Sequence, residues 1–310
     1  MAYTSGTSTF NLDLTELVEE AFERCGSQSR TGYDIRTAKR SINLLTIEWA
    51  NRGINLWTVE EVTIPMVYGQ AIYPVDPTTI DILDLVTRTG ATSASNQQDI
   101  NMNRISESTY STIPNKLTYG RPIQTWYSRQ SGNSNLIAGV SLVGALTASA
   151  TTITLSSTAN LRSTGYIQID SEIIGYVNIS GNQLVNCYRG QYNTTAASHS
   201  SGAAIYNQQL PFLAVWPTPD NSTPYNLVYW RMRRMQDSGT GVFIQDIPFR
   251  WIPVMVAGLA YYLSMKLPGV DPQRIIGLKA EYMEQLEQAS EEDREMVAVR
   301  FVPRSLFYSR

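Results

Sequence analysis

The sequence predicts an α+β protein in which a small all-β segment interrupts a core of helices and sheet. Apolar residues recur at helical spacing near both ends of the chain, and alternating segments lie between them. Residues 131–207 differ in composition: they contain no Pro and no Lys and are rich in Ser, Thr, Gly, Asn and Ala. Their only charged positions are Arg162, Asp170, Glu172 and Arg189. We therefore expect a discontinuous core of 1–130 and 208–295, an inserted all-β domain of 131–207, and a C-terminal tail of 296–310.

Two helices are expected at the N-terminal end. Asp13 can cap the first and Gly26 can end it. Its apolar residues are Leu14, Leu17, Val18, Ala21 and Phe22. The second helix runs from Asp34 to Arg52, and its apolar stripe consists of Ile35, Ala38, Ile42, Leu45 and Trp49. The pair should form an antiparallel hairpin whose apolar stripe faces its partner helix or another subunit.

Extended segments occupy the middle of the chain. Strands of the core are expected at Leu56 to Pro65, Ala71 to Tyr73, Thr79 to Thr87 and Tyr225 to Met235, with a short helix at Asn101 to Tyr110. The strand Gln124 to Gln130 stops where the composition changes, and Leu213 to Asp220 is its expected partner on the far side. The insert would therefore lie at the tip of a hairpin. Its own short alternating segments indicate a compact β-barrel or β-sandwich.

Two more helices are expected near the C-terminal end. The first begins near Pro248; its apolar stretch is shorter than the ~20 residues that span a bilayer, so we expect a buried helix. The second begins at Asp271 and Pro272 and should bury Ile275, Leu278, Tyr282, Met283, Leu286 and Ala289. Together the four helices would form a bundle beside an antiparallel sheet.

Composition narrows the function. The chain of 310 residues has a net charge of −3, which argues against a dedicated nucleic-acid binder. Charged residues make up 16%, below the roughly 25% typical of soluble proteins, and most of the 24 basic residues are Arg. Much of the surface should therefore contact neighbours. Cys25 and Cys187 show no disulfide or metal pattern, which favours a reducing compartment, and Met1 to Asn11 does not resemble a signal peptide.

The residue inventory argues against catalysis. The only histidine is His199; it could form a Ser-His-Asp site with Ser198 or Ser200, but serine is common in that segment. Cys187 and His199 alone do not make a closed metal site. Acidic pairs in the extended segments are not aligned for acid/base work, and no phosphate-binding glycine motif occurs. We expect no enzyme, no metal site and no cofactor.

One basic and aromatic cluster stands out, in the expected strand at Tyr225 to Met235. Tyr229, Arg231 and Arg233 should share one face of that strand, with Arg234 following. The face could contact phosphates in a DNA channel, or it could be an arginine-rich subunit interface. The sequence leaves both open.

The order of these elements resembles the head-to-tail adaptor proteins of short-tailed bacteriophages. The resemblance rests on the helical hairpin, the Leu56-Trp57 strand, Tyr119 to Tyr127, Trp216 to Asp220 and Leu227 to Trp230, followed by two helices. It covers about 1–130 and 208–310. The insert is similar to small β modules of phage tail and virion proteins through Ile169 to Tyr176, Cys187 to Gly190 and Thr194 to His199.

The resemblance implies a structural virion protein located in the neck or tail and assembled in the host cytoplasm. It would form a ring of twelve copies beneath the portal, extend the DNA channel, and carry the tail nozzle and fibres, with no membrane partner. The C-terminal extension of such proteins engages the portal. The corresponding residues here are Arg300, Phe301, Arg304, Leu306, Phe307, Tyr308 and Arg310.

Two other functions remain open at this point. The first is a carbohydrate-binding tail protein whose insert stacks sugars on Tyr166, Tyr176, Tyr188 or Tyr192. The second is a tail-borne cell-wall hydrolase, which lacks a suitable acid pair.

Overall fold

The computed structural model describes residues 6–7, 10–27, 32–54, 56–90, 96–130, 134–239 and 242–292. The chain divides into two compact units. We call Met1–Thr58 with Met235–Arg310 the helical unit, and Val59–Arg234 the β-rich unit. Their described elements are five α-helices and several antiparallel sheets, which confirms the predicted α+β class.

The elements have the following bounds. The helices are α1 (Leu14–Arg24), α2 (Gly32–Asn51), α3 (Glu107–Ser111), α4 (Ile252–Ser264) and α5 (Pro272–Glu292), with 3-10 turns at Leu56–Thr58 and Phe249–Trp251. The strands are β1 (Val59–Pro65), β2 (Ile72–Pro74), β3 (Thr79–Thr89), β4 (Gln98–Asn101), β5 (Asn103–Ile105), β6 (Tyr119–Gly120), β7 (Gln124–Ser128), β8 (Ser134–Ser141), β9 (Thr152–Thr154), β10 (Gly165–Ile169), β11 (Glu172–Tyr176), β12 (Asn178–Ser180), β13 (Gln183–Val185), β14 (Tyr188–Gln191), β15 (Ala204–Gln208), β16 (Phe212–Trp216), β17 (Thr218–Pro219) and β18 (Tyr225–Arg233).

The helical unit is organised around α4, which packs against α1, α2 and α5. Helix α1 begins with a capping box: the Asp13 carboxylate accepts the Glu16 N–H at 2.9 Å, and the Glu16 carboxylate accepts the Asp13 N–H at 3.1 Å. Helix α4 is apolar on almost every side, as a central helix must be. Gly258 permits its close approach to α2, because a Cβ there would lie 2.8 Å from a Leu45 methyl carbon.

The core of this unit confirms most of the predicted helix stripes. The buried stripe of α2 consists of Ala38, Ile42, Leu45 and Trp49. The Trp49 ring lies 5.0 Å from that of Trp251, and its N–H donates to the Tyr282 hydroxyl at 3.1 Å. One predicted core residue is wrong, because Met283 is 44% exposed. Ile35, the first residue of the predicted stripe of α2, is 37% exposed. Ile35 precedes the first buried turn of α2, and Met283 is rotated about 100° around α5 from the buried Tyr282.

In the β-rich unit, the predicted partners at Gln124 and Leu213 do pair. Strands β7 and β16 are antiparallel, with Trp126 opposite Ala214. They belong to a sheet of order β2-β16-β7-β5, beside a second of order β1-β18-β3-β4 and a two-stranded pair β17-β6. The predicted helix at 101–110 is shorter than expected, because Asn103–Ile105 forms β5 and the Ser106 hydroxyl caps α3 by accepting the Thr109 N–H. The strand predicted from Leu56 starts only at Val59.

The segment 131–207 contributes a five-stranded sheet (β14-β11-β10-β15-β8) and a three-stranded sheet (β12-β13-β9). Side chains from both sheets share one buried cluster, in which Ile153 and Leu184 meet Ile167, Ile174 and Ile205. Neither sheet closes on itself among the described strands, so the barrel form of the prediction is wrong for them.

This segment also shares apolar contacts with the strands that flank it. Tyr166 and Val177 are buried in one cluster with Ile72, Trp126 and Phe212. All of these residues belong to the β-rich unit. That 131–207 is a domain of its own, with the boundaries given above, stays a prediction.

Candidate functional site

The arginine-rich end of β18 is the first candidate surface. Arg231 and Arg233 both bind the carboxylate of Glu60, with N–O distances of 2.9 Å and 2.5 Å. Arg231 also lies 3.5 Å from the Asp76 carboxylate. Tyr229 is 1% exposed and belongs to a buried cluster. The two guanidinium groups thus share a face, but that face already contains a carboxylate.

The electrostatics agree with this pairing. Burial raises the pKa of Glu60, but the hydrogen bonds and charges of Arg231 and Arg233 outweigh it and lower the pKa overall. The Arg234 N–H donates to the Thr78 carbonyl at 2.8 Å. Sequence reasoning missed Glu60, because only the register of β1 against β18 places it opposite Arg231. A role for these arginines in a DNA channel or a subunit interface stays a prediction.

The residues proposed for portal docking lie outside the described residues. They are Arg300, Phe301, Arg304, Leu306, Phe307, Tyr308 and Arg310.

The only histidine lies in a cluster of charges within 131–207. The two ring nitrogens of His199 lie 2.7 Å from Asp170 and 2.8 Å from Glu172, and Arg189 makes two hydrogen bonds to the Glu172 carboxylate at 2.8 and 2.7 Å. Three of the four charged residues of this segment therefore lie in one hydrogen-bonded cluster with His199. The composition contained that signal, but it did not show that these positions converge.

Glu172 is the centre of this cluster. Its carboxylate is fully buried and also accepts the N–H groups of Gly190 at 2.9 Å and Ala197 at 3.0 Å. Burial raises its pKa, but the hydrogen bonds from Arg189, Ala197, His199 and Gly190 outweigh burial and lower the pKa to about 2. Such a fully satisfied buried carboxylate ties β11 to β14 and to the loop before His199. The cluster is therefore arranged as a structural tie.

Three partners were named for His199 from the sequence, Ser198, Ser200 and Cys187, and none of them is the one observed. Both ring nitrogens face carboxylates. Cys187 donates instead to the Leu184 carbonyl, and burial raises the pKa of its thiol to about 12. In the described residues no group of three or more His, Cys, Asp or Glu is arranged to hold a metal ion.

The four tyrosines considered for sugar stacking are placed inside the unit. Tyr166 and Tyr176 are each 1% exposed. The Tyr188 hydroxyl donates to the Gly69 carbonyl at 2.6 Å, and that of Tyr192 donates to the Pro211 carbonyl. These rings contribute to the core and to the contact between 131–207 and its flanking strands.

The outward face of α2 is the second candidate surface. On the side of the helix opposite its buried stripe, Tyr33, Arg36, Arg40, Leu44 and Ile47 recur at spacings of three and four. The three apolar or aromatic residues are 68%, 48% and 49% exposed. A helix face that turns three large apolar side chains and two arginines to solvent has the composition of a protein interface.

Comparison with known proteins adds no assignment. No protein-family model and no curated protein matches this chain. None of the helices, as far as the structure describes them, has the length and apolarity to cross a membrane.

Proposed function

We propose that this chain is a non-enzymatic structural protein of a phage virion, a head-to-tail adaptor that forms a ring beneath the portal. The observation that carries the proposal is the outward face of α2. A helix with only water beyond its outer face would carry polar residues there. The resemblance in element order supplies the type of assembly, a ring of twelve copies.

In this proposal the helical unit is a bundle that forms the wall of the ring, and the antiparallel sheets add strand edges to the contacts between subunits. DNA passes through the lumen. Residues 296–310 dock on the portal, and the lower side carries the tail nozzle and fibres. Residues 131–207 form a small inserted sandwich that lies outside the ring-forming surfaces.

The experiment uses the purified chain, with and without the portal protein of the same phage. Light scattering and negative-stain images should show rings in the presence of portal. Deleting 296–310 should abolish portal binding, whereas excising 131–207 should leave ring formation intact. Monomers that ignore portal and bind glycan arrays instead would overturn the proposal in favour of a carbohydrate-binding tail protein. No contact in the structure favours that alternative, because the candidate tyrosines are held within the β-rich unit.

A further inference from the structure

A groove on the helical unit has an apolar lining and an acidic wall. It lies beside α1 and the N-terminal end of α4 and has a volume of about 510 Å³. Its apolar lining includes Phe10, Leu12, Pro253 and Val256, and its wall is formed by Glu16, Glu19, Glu20, Glu23 and Arg24 of α1, four carboxylates against one guanidinium. Phe10 is 76% exposed. Exposed apolar surface beside fixed charges is typical of a binding groove rather than of a solvated helix.

Two of these carboxylates form no ion pair with any residue that the structure describes. Glu16 closes the capping box of α1, and Glu20 accepts from the Arg24 guanidinium at 2.9 Å. Glu19 and Glu23 are exposed, and neither forms an ion pair within the described part of the chain. They are four residues apart, so their Cα atoms are separated by about 6 Å along the helix.

The outward face of α2 presents the matching charges. Arg36 and Arg40 are also exposed and four residues apart, and in the described ranges neither takes part in an ion pair. Leu44 and Ile47 continue the same face toward the C-terminal end of the helix. Around α1 the order is reversed, because the apolar Leu12, two residues before the helix begins, precedes the two glutamates in the chain.

The geometry points to a second copy of this chain as the occupant: α2 of one subunit lies antiparallel in the α1 groove of the next. Aligning Arg36 with Glu23 and Arg40 with Glu19 places Ile47 against Leu12. One register thus satisfies both charge pairs and an apolar pair. The inference rests on the ring proposed above and names the contact that would close it.

This contact joins two different surfaces, one on α1 and one on α2. Such heterologous contacts propagate from subunit to subunit and end in a ring when the rotation closes.

An alternative occupant of the groove is the tail 296–310, whose aromatic and arginine composition would also suit an acidic, apolar groove.

Disulfide trapping tests the register. We would make Glu19→Cys, Arg40→Cys and a variant carrying both changes, and oxidise each at increasing concentration. The native Cys25 and Cys187 are buried and should not react. The double variant should form a ladder of dimers, trimers and larger species. A mixture of the two single variants should stop at dimers. A control variant that combines Arg40→Cys with Glu284→Cys, on the outer face of α5, should form no ladder.

Charge reversal tests the chemistry of the contact. Two double variants reverse the charges: Glu19→Lys with Glu23→Lys, and Arg36→Glu with Arg40→Glu. Each should weaken self-association at least about tenfold, because like charges then face each other. Mixing the two variants should restore association, since every interface then pairs opposite charges. Glu284→Lys with Glu287→Lys makes the same change of charge on α5 and should leave association unchanged. Unchanged thermal melting would show that each variant folds.

The outcomes separate this contact from the proposed function. If the wild-type chain forms rings on portal but none of the variants alters association, the contact is wrong and the adaptor proposal stands. Trapped species that stop at dimers overturn the head-to-tail arrangement. If the double cysteine variant forms a ladder only after 296–310 is deleted, the tail occupies the groove instead. If the double cysteine variant forms a charge-sensitive ladder but the wild-type chain forms no portal-bound ring, the contact stands and the adaptor proposal falls.

Discussion

The helical unit and the segment 131–207 place their charges in opposite ways. On the helical unit, Glu19, Glu23, Arg36 and Arg40 project from outward helix faces beside exposed apolar side chains. In 131–207 the fully buried Glu172 is surrounded by donors from the same segment.

The difference shows what the charges of each region specify: the fold of the region itself or the choice of a partner. A buried charge with all its hydrogen bonds made fixes one arrangement of its own strands, and removing one partner is costly. An exposed charge contributes little to folding, but it can select the orientation and identity of a partner. The charge cluster of 131–207 is thus completed by residues of the same segment, whereas the outer faces of α1 and α2 are suited to another surface.

Removing the buried charge should have the largest effect on stability. Glu172→Gln leaves Arg189 and His199 beside a neutral group, so we expect a loss of about 3–5 kcal/mol in the free energy of unfolding. Urea denaturation of the full chain at neutral pH would measure it. The matched control is Asp170→Asn. The Asp170 carboxylate is hydrogen-bonded to the same imidazole but is 63% exposed. That change should cost less than about 1 kcal/mol. Equal losses for the two variants would contradict the difference between buried and exposed charge.

A pair of isoleucines on α2 tests the two faces of one helix. Ile42 is fully buried, and Ile42→Ala should cost about 2–5 kcal/mol because it leaves a cavity in the core. Ile47 is 49% exposed, and Ile47→Ala should cost less than about 1 kcal/mol of stability. Only Ile47→Ala should weaken self-association of a chain that stays folded. Calorimetry with sedimentation velocity would measure both. If Ile47→Ala left association unchanged, the outer face of α2 would not be an interface.

Acid should remove the contribution of Glu172. Its pKa in the folded chain is lowered from 4.5 to about 2, so its contribution to stability is complete above the unfolded value. That contribution is lost as the pH falls from about 4.5 to about 2. The difference in unfolding free energy between the wild-type chain and Glu172→Gln should therefore shrink by about 3 kcal/mol across this window. Denaturation at several pH values would test it, and a difference that stays constant would show that the carboxylate is not held ionised.

Different parts of this structure were accessible from sequence for different reasons. The buried apolar stripe of α2 was predicted because it follows from periodicity within a short segment. The β7–β16 pair was predicted because a change of composition begins where one strand ends and stops before the other begins. The Glu172 cluster was missed, because it depends on two strands and two loop segments coming together. Glu60 was missed because the registers of β1 and β18 are not encoded locally. Met283 shows the limit of apolar composition, since an apolar residue adjacent to a buried one can still face solvent.

The smallest expected effect on stability is that of changing Glu60. The exposure of its carboxylate lies between that of the buried Glu172 and that of the exposed Asp170. Its carboxylate is 40% exposed, while the side chains of Arg231 and Arg233 are only 11% and 17% exposed. Glu60→Gln should therefore cost at most about 1 kcal/mol. It should nevertheless remove the negative charge that the two guanidinium groups share, so that this face attracts phosphates more strongly.

If this face can contact DNA, Glu60→Gln should bind a double-stranded DNA fragment more tightly than the wild-type chain does. At low salt the gain in affinity should be at least about threefold, and added salt should remove it. The matched control is Glu61→Gln, which makes the same change of charge on the next residue. The Glu61 carboxylate lies 3.4 Å from the Arg88 guanidinium. A gain for Glu60→Gln alone favours the DNA channel. Equal binding by both variants means that the arginines are inaccessible to phosphates, which leaves the subunit interface as their role.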